Sequence, residues 1–209
     1  MLVSTPWPRR GLYLITPNAA DTERLLQQVR AVLPAQPVLL QYRSKATSAD
    51  VRYEQAHALA ALCARHGVGL IVNDDVALAQ RVGALGVHLG RDDATLGSAR
   101  ATLGGQAILG ATCHDDLALA ERAVADGADY IAFGAFFVSP SKPQARRASI
   151  DVLRASSHLG VPRVAIGGIS ADNAELLVRA GADLLAVISG VFDAADPLAA
   201  ARHLQALYR

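Results

Sequence analysis

Short apolar runs recur along this chain at near-regular intervals, and they constrain its fold more than any other feature. They fall at 12–16, 38–42, 69–72, 86–89, 107–112, 130–133, 163–166 and 184–188. Each is apolar nearly throughout instead of alternating, which is the pattern of parallel strands covered on both faces. Between them lie longer Ala-rich stretches with helical periodicity, among them 50–66, 117–126, 174–180 and 197–208. Eight such strand–helix units in 209 residues predict one α/β domain over the whole chain, a (β/α)8 TIM barrel. Residues 1–10 are expected to form an N-terminal extension. A doubly wound open sheet is the alternative. A local repeat supports the unit structure: Gly83-Ala84-Leu85-Gly86, Gly127-Ala128-Asp129-Tyr130 and Gly181-Ala182-Asp183-Leu184 each set a glycine after a helix and before a strand. A left-handed residue is wanted there to end the helix.

Composition excludes several classes of function. With 52% hydrophobic and 19% charged residues, the chain can bury enough apolar surface to offset the entropy of ordering. Twenty basic and nineteen acidic residues leave a net charge of +1, so no basic field exists to hold nucleic acid or an anionic membrane. Aromatics at 5% are too few for a base-stacking platform. No apolar run reaches the ~18 residues of a membrane span, and Met1 to Arg10 contain no signal-type apolar segment. The two cysteines, Cys63 and Cys113, make no disulfide framework and no metal spacing, and Cys63 reads as a small buried hydrophobe. A cytoplasmic protein is expected. A homo-oligomer is compatible with the sequence.

In a βα barrel, chemistry gathers on the loops after the strands. Gln41, Arg43 and Lys45 follow the second run and share a face if a strand period of two continues. Two cations and an amide suit a diphosphate, with Arg as a fork and Lys as a point charge; a solvated pair at a strand end is the alternative. Asn73, Asp74 and Asp75 follow the third run. His88 lies in the fourth, followed by Arg91, Asp92 and Asp93. Asp74 and Asp93 follow adjacent strands, so hard oxygen ligands could face each other beside the cations, as Mg²⁺ requires. The alternative is helix capping, which fits Asp75 and Asp92 well. His88 reads as a hydrogen-bonded wall residue, and the other five histidines show no metal spacing. Thr112 ends the fifth run. Ser139, Pro140, Ser141, Lys142, Arg146 and Arg147 lie in a long loop after the sixth, where Lys142 could be a third cation or an ordinary surface lysine. Gly167, Gly168 and Ser170 follow the seventh run, and Ile188, Ser189 and Gly190 close the eighth. Small-residue turns there, leading into helix N-termini, form the phosphate cup many barrels build, and glycine lets the backbone approach an anion. The rim holds no convincing nucleophile–base pair. The implied chemistry is phosphate-assisted transfer.

Taken in order, Gln41-Tyr42-Arg43-Ser44-Lys45, Asn73-Asp74-Asp75, Gly86-Val87-His88-Leu89-Gly90 with Asp93, Asp129-Tyr130, Lys142, Ala165-Ile166-Gly167-Gly168-Ile169 and Ile188-Ser189 resemble the thiamine phosphate synthase family over nearly the whole chain. The resemblance implies condensation of a hydroxymethylpyrimidine diphosphate with a thiazole phosphate, through a pyrimidine carbocation, to give thiamine phosphate and diphosphate. It implies that Gln41, Tyr42, Arg43, Ser44, Lys45, Asn73, Thr112 and Lys142 hold the pyrimidine diphosphate, with Arg43, Lys45 and Lys142 catalytic. Ser139, Pro140, Ser141, Gly168, Ile188 and Ser189 would hold the thiazole phosphate, and Asp74 and Asp93 would bind Mg²⁺. The partners are then small phosphorylated molecules, not nucleic acid or membrane. Arg91-Asp92 stands where the family often has Gln-Glu, Thr112 stands for a frequent serine, and Ser139 and Ser141 for frequent threonines; Val138 replaces a frequent proline. A thiazole tautomerase paralogue would carry a histidine after Gly134, where this chain has Ala135, and a non-catalytic phosphate sensor need not keep the cations and both carboxylates.

Overall fold

A computed structural model describes residues 9–44, 48–91, 93–138 and 147–209. The eight apolar runs become strands β1 (Gly11–Ile15), β2 (Leu39–Tyr42), β3 (Gly69–Asn73), β4 (Gly86–Leu89), β5 (Ile108–His114), β6 (Tyr130–Gly134), β7 (Arg163–Ile166) and β8 (Leu184–Val187). Each pairs in parallel with its neighbours, and β8 returns to β1, closing the barrel. The open-sheet alternative is thereby set aside. Helices follow the strands: α1 (Thr22–Val32), α2 (Ala49–His66), α3 (Val76–Val82), α4 (Leu96–Leu103), α5 (Leu117–Ala125), α6 (Asp151–Ala155), α7 (Ala174–Arg179), α8 (Ser189–Phe192) and α9 (Pro197–Ala206).

Local chemistry explains where the helices start and stop. The side chains of Asp21, Ser48, Asp75, Thr95, Asp116 and Asp196 each accept a backbone N–H in the first turn of their helix, satisfying a donor the helix cannot. The capping role expected of Asp75 is borne out. At α4 the cap is Thr95, while Asp92 lies outside the described residues. Gly83, Gly127 and Gly181 of the local repeat all take positive φ, as a helix-to-strand reversal asks. The repeated aspartate pins the foot of the barrel. Asp129 accepts Leu109 N–H at 2.8 Å and an Arg100 bond at 2.7 Å. Asp183 accepts Arg163 N–H at 3.0 Å and its Nε at 2.9 Å.

Strand alternation sorts the core into two layers. Leu12, Leu14, Leu40, Val72, Val87, Ile131 and Phe133 pack outward against the helices. Tyr13, Ile15, Leu39, Ile71, Ile108, Tyr130, Ala132, Val164 and Leu184 fill the barrel interior. Gly110 is paired with Tyr130 across β5 and β6. A Cβ on Gly110 would lie 2.0 Å from the Tyr130 ring, so the phenol crosses the barrel only because glycine stands opposite. Six of the eight strands shift at an end by one or two residues from the sequence reading, and two of these shifts have a visible cause. β5 runs on to His114 through a register irregularity after Thr112, and β8 stops at Val187 because Ile188 caps α8.

Candidate active site

The C-terminal rim gathers Arg43, Ser44, Asn73, Asp74, Thr112, Gly168, Ile188 and Ser189 at or just past their strands, with Asp93 in the loop after β4. Lys45, Ser139, Pro140, Ser141, Lys142 and Arg146 lie outside the described residues.

Arg43 is held by its backbone. Its N–H donates to Thr16 Oγ1 at 3.0 Å, and the Thr16 hydroxyl donates back to the Arg43 carbonyl at 3.2 Å. Thr16, 2% exposed at the end of β1, is a positioning residue that the sequence reading missed. Its hydroxyl at the end of an otherwise apolar run was the available signal. Gln41 faces inward as the strand period requires, and its Nε2 donates to the Tyr13 hydroxyl at 2.8 Å. Tyr42 has the opposite parity. Its side chain packs in the outer core and its hydroxyl donates to Gln55 Oε1 of α2 at 2.8 Å. A part for Tyr42 at the diphosphate would therefore fall to its main chain, at the end of β2.

Asp74 and Asp93 come together. Asp74 has φ 64°, a left-handed conformation that aspartate tolerates better than most residues. The turn is secured by Asp74 N–H donating to the His88 carbonyl and Asp75 N–H to the Asn73 carbonyl, each at 2.8 Å. Asn73 Nδ2 donates to Asp74 Oδ2 at 2.5 Å, and Gly90 N–H to Asp93 Oδ2 at 2.6 Å. Partial burial pushes the Asp74 carboxyl up to about 6. A hydrogen bond with Asp93 and the charge of Asp93 push the same way, outweighing Arg43 and Asn73. The Asp93 carboxylate beside it is thus part of what makes ionising Asp74 costly. No cluster of three or more such ligands occurs among the described residues.

Behind this rim the barrel is polar. His88 is borne out as a wall histidine: its Nδ1 lies 3.0 Å from the Tyr130 hydroxyl and its Nε2 2.8 Å from Thr112 Oγ1. Its ring stacks on Tyr130 at 5.6 Å. Burial pushes the imidazole down to about 4, against the pull of Asp93, so it is neutral at neutral pH. Tyr130 in turn meets the Tyr13 hydroxyl at 2.9 Å.

The loops after β6, β7 and β8 are tied together on the other side. Phe136 N–H donates to the Ile166 carbonyl and Phe137 N–H to the Gly167 carbonyl. Gly168 has φ 64°, and a Cβ there would lie 2.5 Å from the Val138 carbonyl oxygen. Its glycine is thus demanded by the β6 loop, a different reason from the close approach of an anion that the sequence suggested. Asn173 braces the same turn, accepting Ser170 N–H and donating to the Gly168 carbonyl, each at 3.0 Å. A Cβ on Gly190 would meet the Ile169 carbonyl oxygen at 2.1 Å.

Fold and site together define an α/β-barrel protein whose C-terminal rim, the face on which barrel enzymes carry their chemistry, holds a cation, an acidic pair and a glycine-rich turn after β7. Residues 12–191 match the family described as thiamine monophosphate synthase. The chain is 56% identical over 200 residues to the thiamine-phosphate synthase of Azoarcus sp. strain BH72, covering 95% of this chain and 97% of that one. It is 53% identical over 197 residues to that of Xanthomonas campestris pv. campestris, covering 94% and 95%. The solved thiamine phosphate pyrophosphorylase from Pyrococcus furiosus superposes with a TM-score of 0.84 at 32% identity, covering 96% of each chain. The chain belongs to the thiamine-phosphate synthase family and is a transferase. The condensation that the resemblance implied is the reaction of that family.

Proposed function

We propose that the rim divides the two substrates between its two halves. Gln41, Arg43, Ser44, Lys45, Asn73, Thr112 and Lys142 hold the pyrimidine diphosphate. Ser139, Pro140, Ser141, Gly168, Ile188 and Ser189 hold the thiazole phosphate. The observation that carries this reading is the pairing of Asp74 with Asp93 within the field of Arg43. The donor chemistry fits Mg²⁺: Asp74 and Asp93 set two hard carboxylates side by side, a pairing a cation would relieve, and Mg²⁺ commonly takes one or two carboxylates plus substrate phosphate. Asp74 and Asp93 would hold the ion. When bound, Mg²⁺ neutralises charge on the diphosphate as its C–O bond breaks.

Each protein group then has one task. Arg43 offers a planar fork to phosphate oxygens whose charge grows as the diphosphate departs, and Lys45 and Lys142 add point charges. The exocyclic methylene carbon is left as the carbocation, stabilised by the pyrimidine ring. The thiazole nitrogen attacks that carbon with its lone pair. It carries no proton to remove, so the rim needs no general base. In the other half, Ser189 and Gly190 open α8, and backbone N–H groups at such a start suit a phosphate. The partners are small phosphorylated molecules, and among the described residues no helix is long and apolar enough to cross a membrane. The described polar groups suit this role without a tautomerase histidine after Gly134, where Ala135 stands.

Equilibrium binding of each substrate alone tests the division. Asp93→Asn should weaken Mg²⁺-dependent binding of the pyrimidine diphosphate at least tenfold and leave the thiazole phosphate nearly unchanged. Ser189→Asp places an acid at the first position of α8, which the helix tolerates, but beside the phosphate. It should weaken the thiazole phosphate at least tenfold, about 1.4 kcal/mol, and spare the diphosphate. Folded variants with the reverse pattern would overturn the division.

A further inference from the structure

The barrel interior carries a continuous line of hydrogen bonds that ends at Thr112, and its direction follows from what each atom can do. Gln41 Nε2 donates to the Tyr13 hydroxyl at 2.8 Å. That phenol is 1% exposed, and its other hydrogen-bond neighbour is the Tyr130 hydroxyl at 2.9 Å. An amide nitrogen cannot accept. The Tyr13 proton therefore goes to the Tyr130 oxygen, since a donor left unbonded in the core is costly. Tyr130 then donates to His88 Nδ1, 3.0 Å away. With Nδ1 accepting, the ring proton sits on Nε2, which donates to Thr112 Oγ1 at 2.8 Å.

We propose that this chain locks His88 as its Nε2–H tautomer, so that the Thr112 hydroxyl accepts from His88 and keeps its own proton for a ligand oxygen at the rim. His88, Tyr130 and Tyr13 are thereby positioning residues: they act through Thr112, by fixing the polarity of one hydroxyl. The opposite direction, with Gln41 Oε1 accepting from Tyr13 and every bond reversed, would turn the Thr112 proton inward. Thr112 would then offer only lone pairs to the rim. An anionic diphosphate beside Arg43 asks for a donor, which favours the first direction on grounds independent of the amide. Thr112 is half-buried, meets His88, and stands near the C-terminal end of β5. The functional half of this proposal rests on the placement of Thr112 in the pyrimidine half of the site.

The test is ¹⁵N NMR of the histidine-labelled full-length protein at neutral pH, joined to steady-state kinetics. The proposal expects a pyridine-type His88 Nδ1 and a pyrrole-type Nε2. The inverse assignment in the unsubstituted protein overturns it, and this holds even where a variant fails to fold. Tyr130→Phe removes the donor to Nδ1. In the folded variant the tautomer preference should be lost, and KM for the pyrimidine diphosphate should rise about five- to tenfold with KM for the thiazole phosphate unchanged. A folded Tyr130→Phe with the parent tautomer and the parent KM contradicts the lock. Thr112→Ser should retain the parent KM and Thr112→Val should raise it. If Thr112→Val leaves the pyrimidine KM unaltered while His88 keeps its Nε2–H tautomer, the placement of Thr112 at the substrate is wrong and the lock itself stands.

Discussion

His88 and Asp74 face each other's surroundings yet are perturbed in opposite senses, and the difference is measurable. Burial lowers the His88 pKa from 6.5 to about 4. Between those values the unfolded chain binds a proton that the folded protein refuses, so stability is full above pH 6.5 and falls as pH drops toward 4. At 1.36 kcal/mol per pKa unit the loss is roughly 3 kcal/mol. The Asp74 carboxyl, raised from 3.8 to about 6, works the other way: the folded state holds its proton longer, and its contribution falls as pH rises across that interval. Comparing parent with His88→Gln cancels the Asp74 contribution. Urea unfolding at a series of pH values should show the parent losing stability relative to His88→Gln as pH falls from 6.5 to 4. A constant difference would mean that His88 is not held neutral.

At the scale of strands and loops, glycines decide where elements can touch. Gly110 leaves room for the Tyr130 phenol, and a methyl group there would sit 2.0 Å from the ring. Gly67 ends α2 at φ 67° with nothing within 4 Å of a Cβ. Gly110→Ala should cost about 1–3 kcal/mol or more through overpacking, and Gly67→Ala about 1 kcal/mol through its left-handed backbone alone. Denaturant midpoints check the order; equal losses would show that the barrel absorbs the methyl group by shifting Tyr130. The same residues show what a sequence can disclose. Apolar runs, N-caps such as Asp75 and the repeated glycines were legible because each obeys a local rule. Strand parity already separated Gln41 from Tyr42, since neighbouring residues face opposite sides, though the motif reading kept both as ligands. The Tyr13–Tyr130–His88–Thr112 line was not legible as a unit. Its members lie on β1, β6, β4 and β5 and meet only through the closed register, and a tyrosine in an apolar run reads as core. The clash that makes Gly168 a glycine comes from Val138, thirty positions away in sequence, and so was hidden for the same reason.

For the whole molecule, the barrel sets a cation and an acidic pair on one half of a rim, braced glycine turns on the other, and a polar spine beneath. The central claim is that this rim runs a Mg²⁺-assisted departure of diphosphate followed by capture of the carbocation by the thiazole nitrogen, with Asp74 and Asp93 proposed to hold the ion. One measurement bears on it most directly: turnover of the pyrimidine diphosphate with the thiazole phosphate, followed by release of both thiamine phosphate and diphosphate, in Mg²⁺ and in excess chelator. The account predicts the two products in equal amounts with Mg²⁺, none above background in chelator, and recovery when Mg²⁺ is returned. Full turnover in chelator, or diphosphate released without thiamine phosphate, would contradict it.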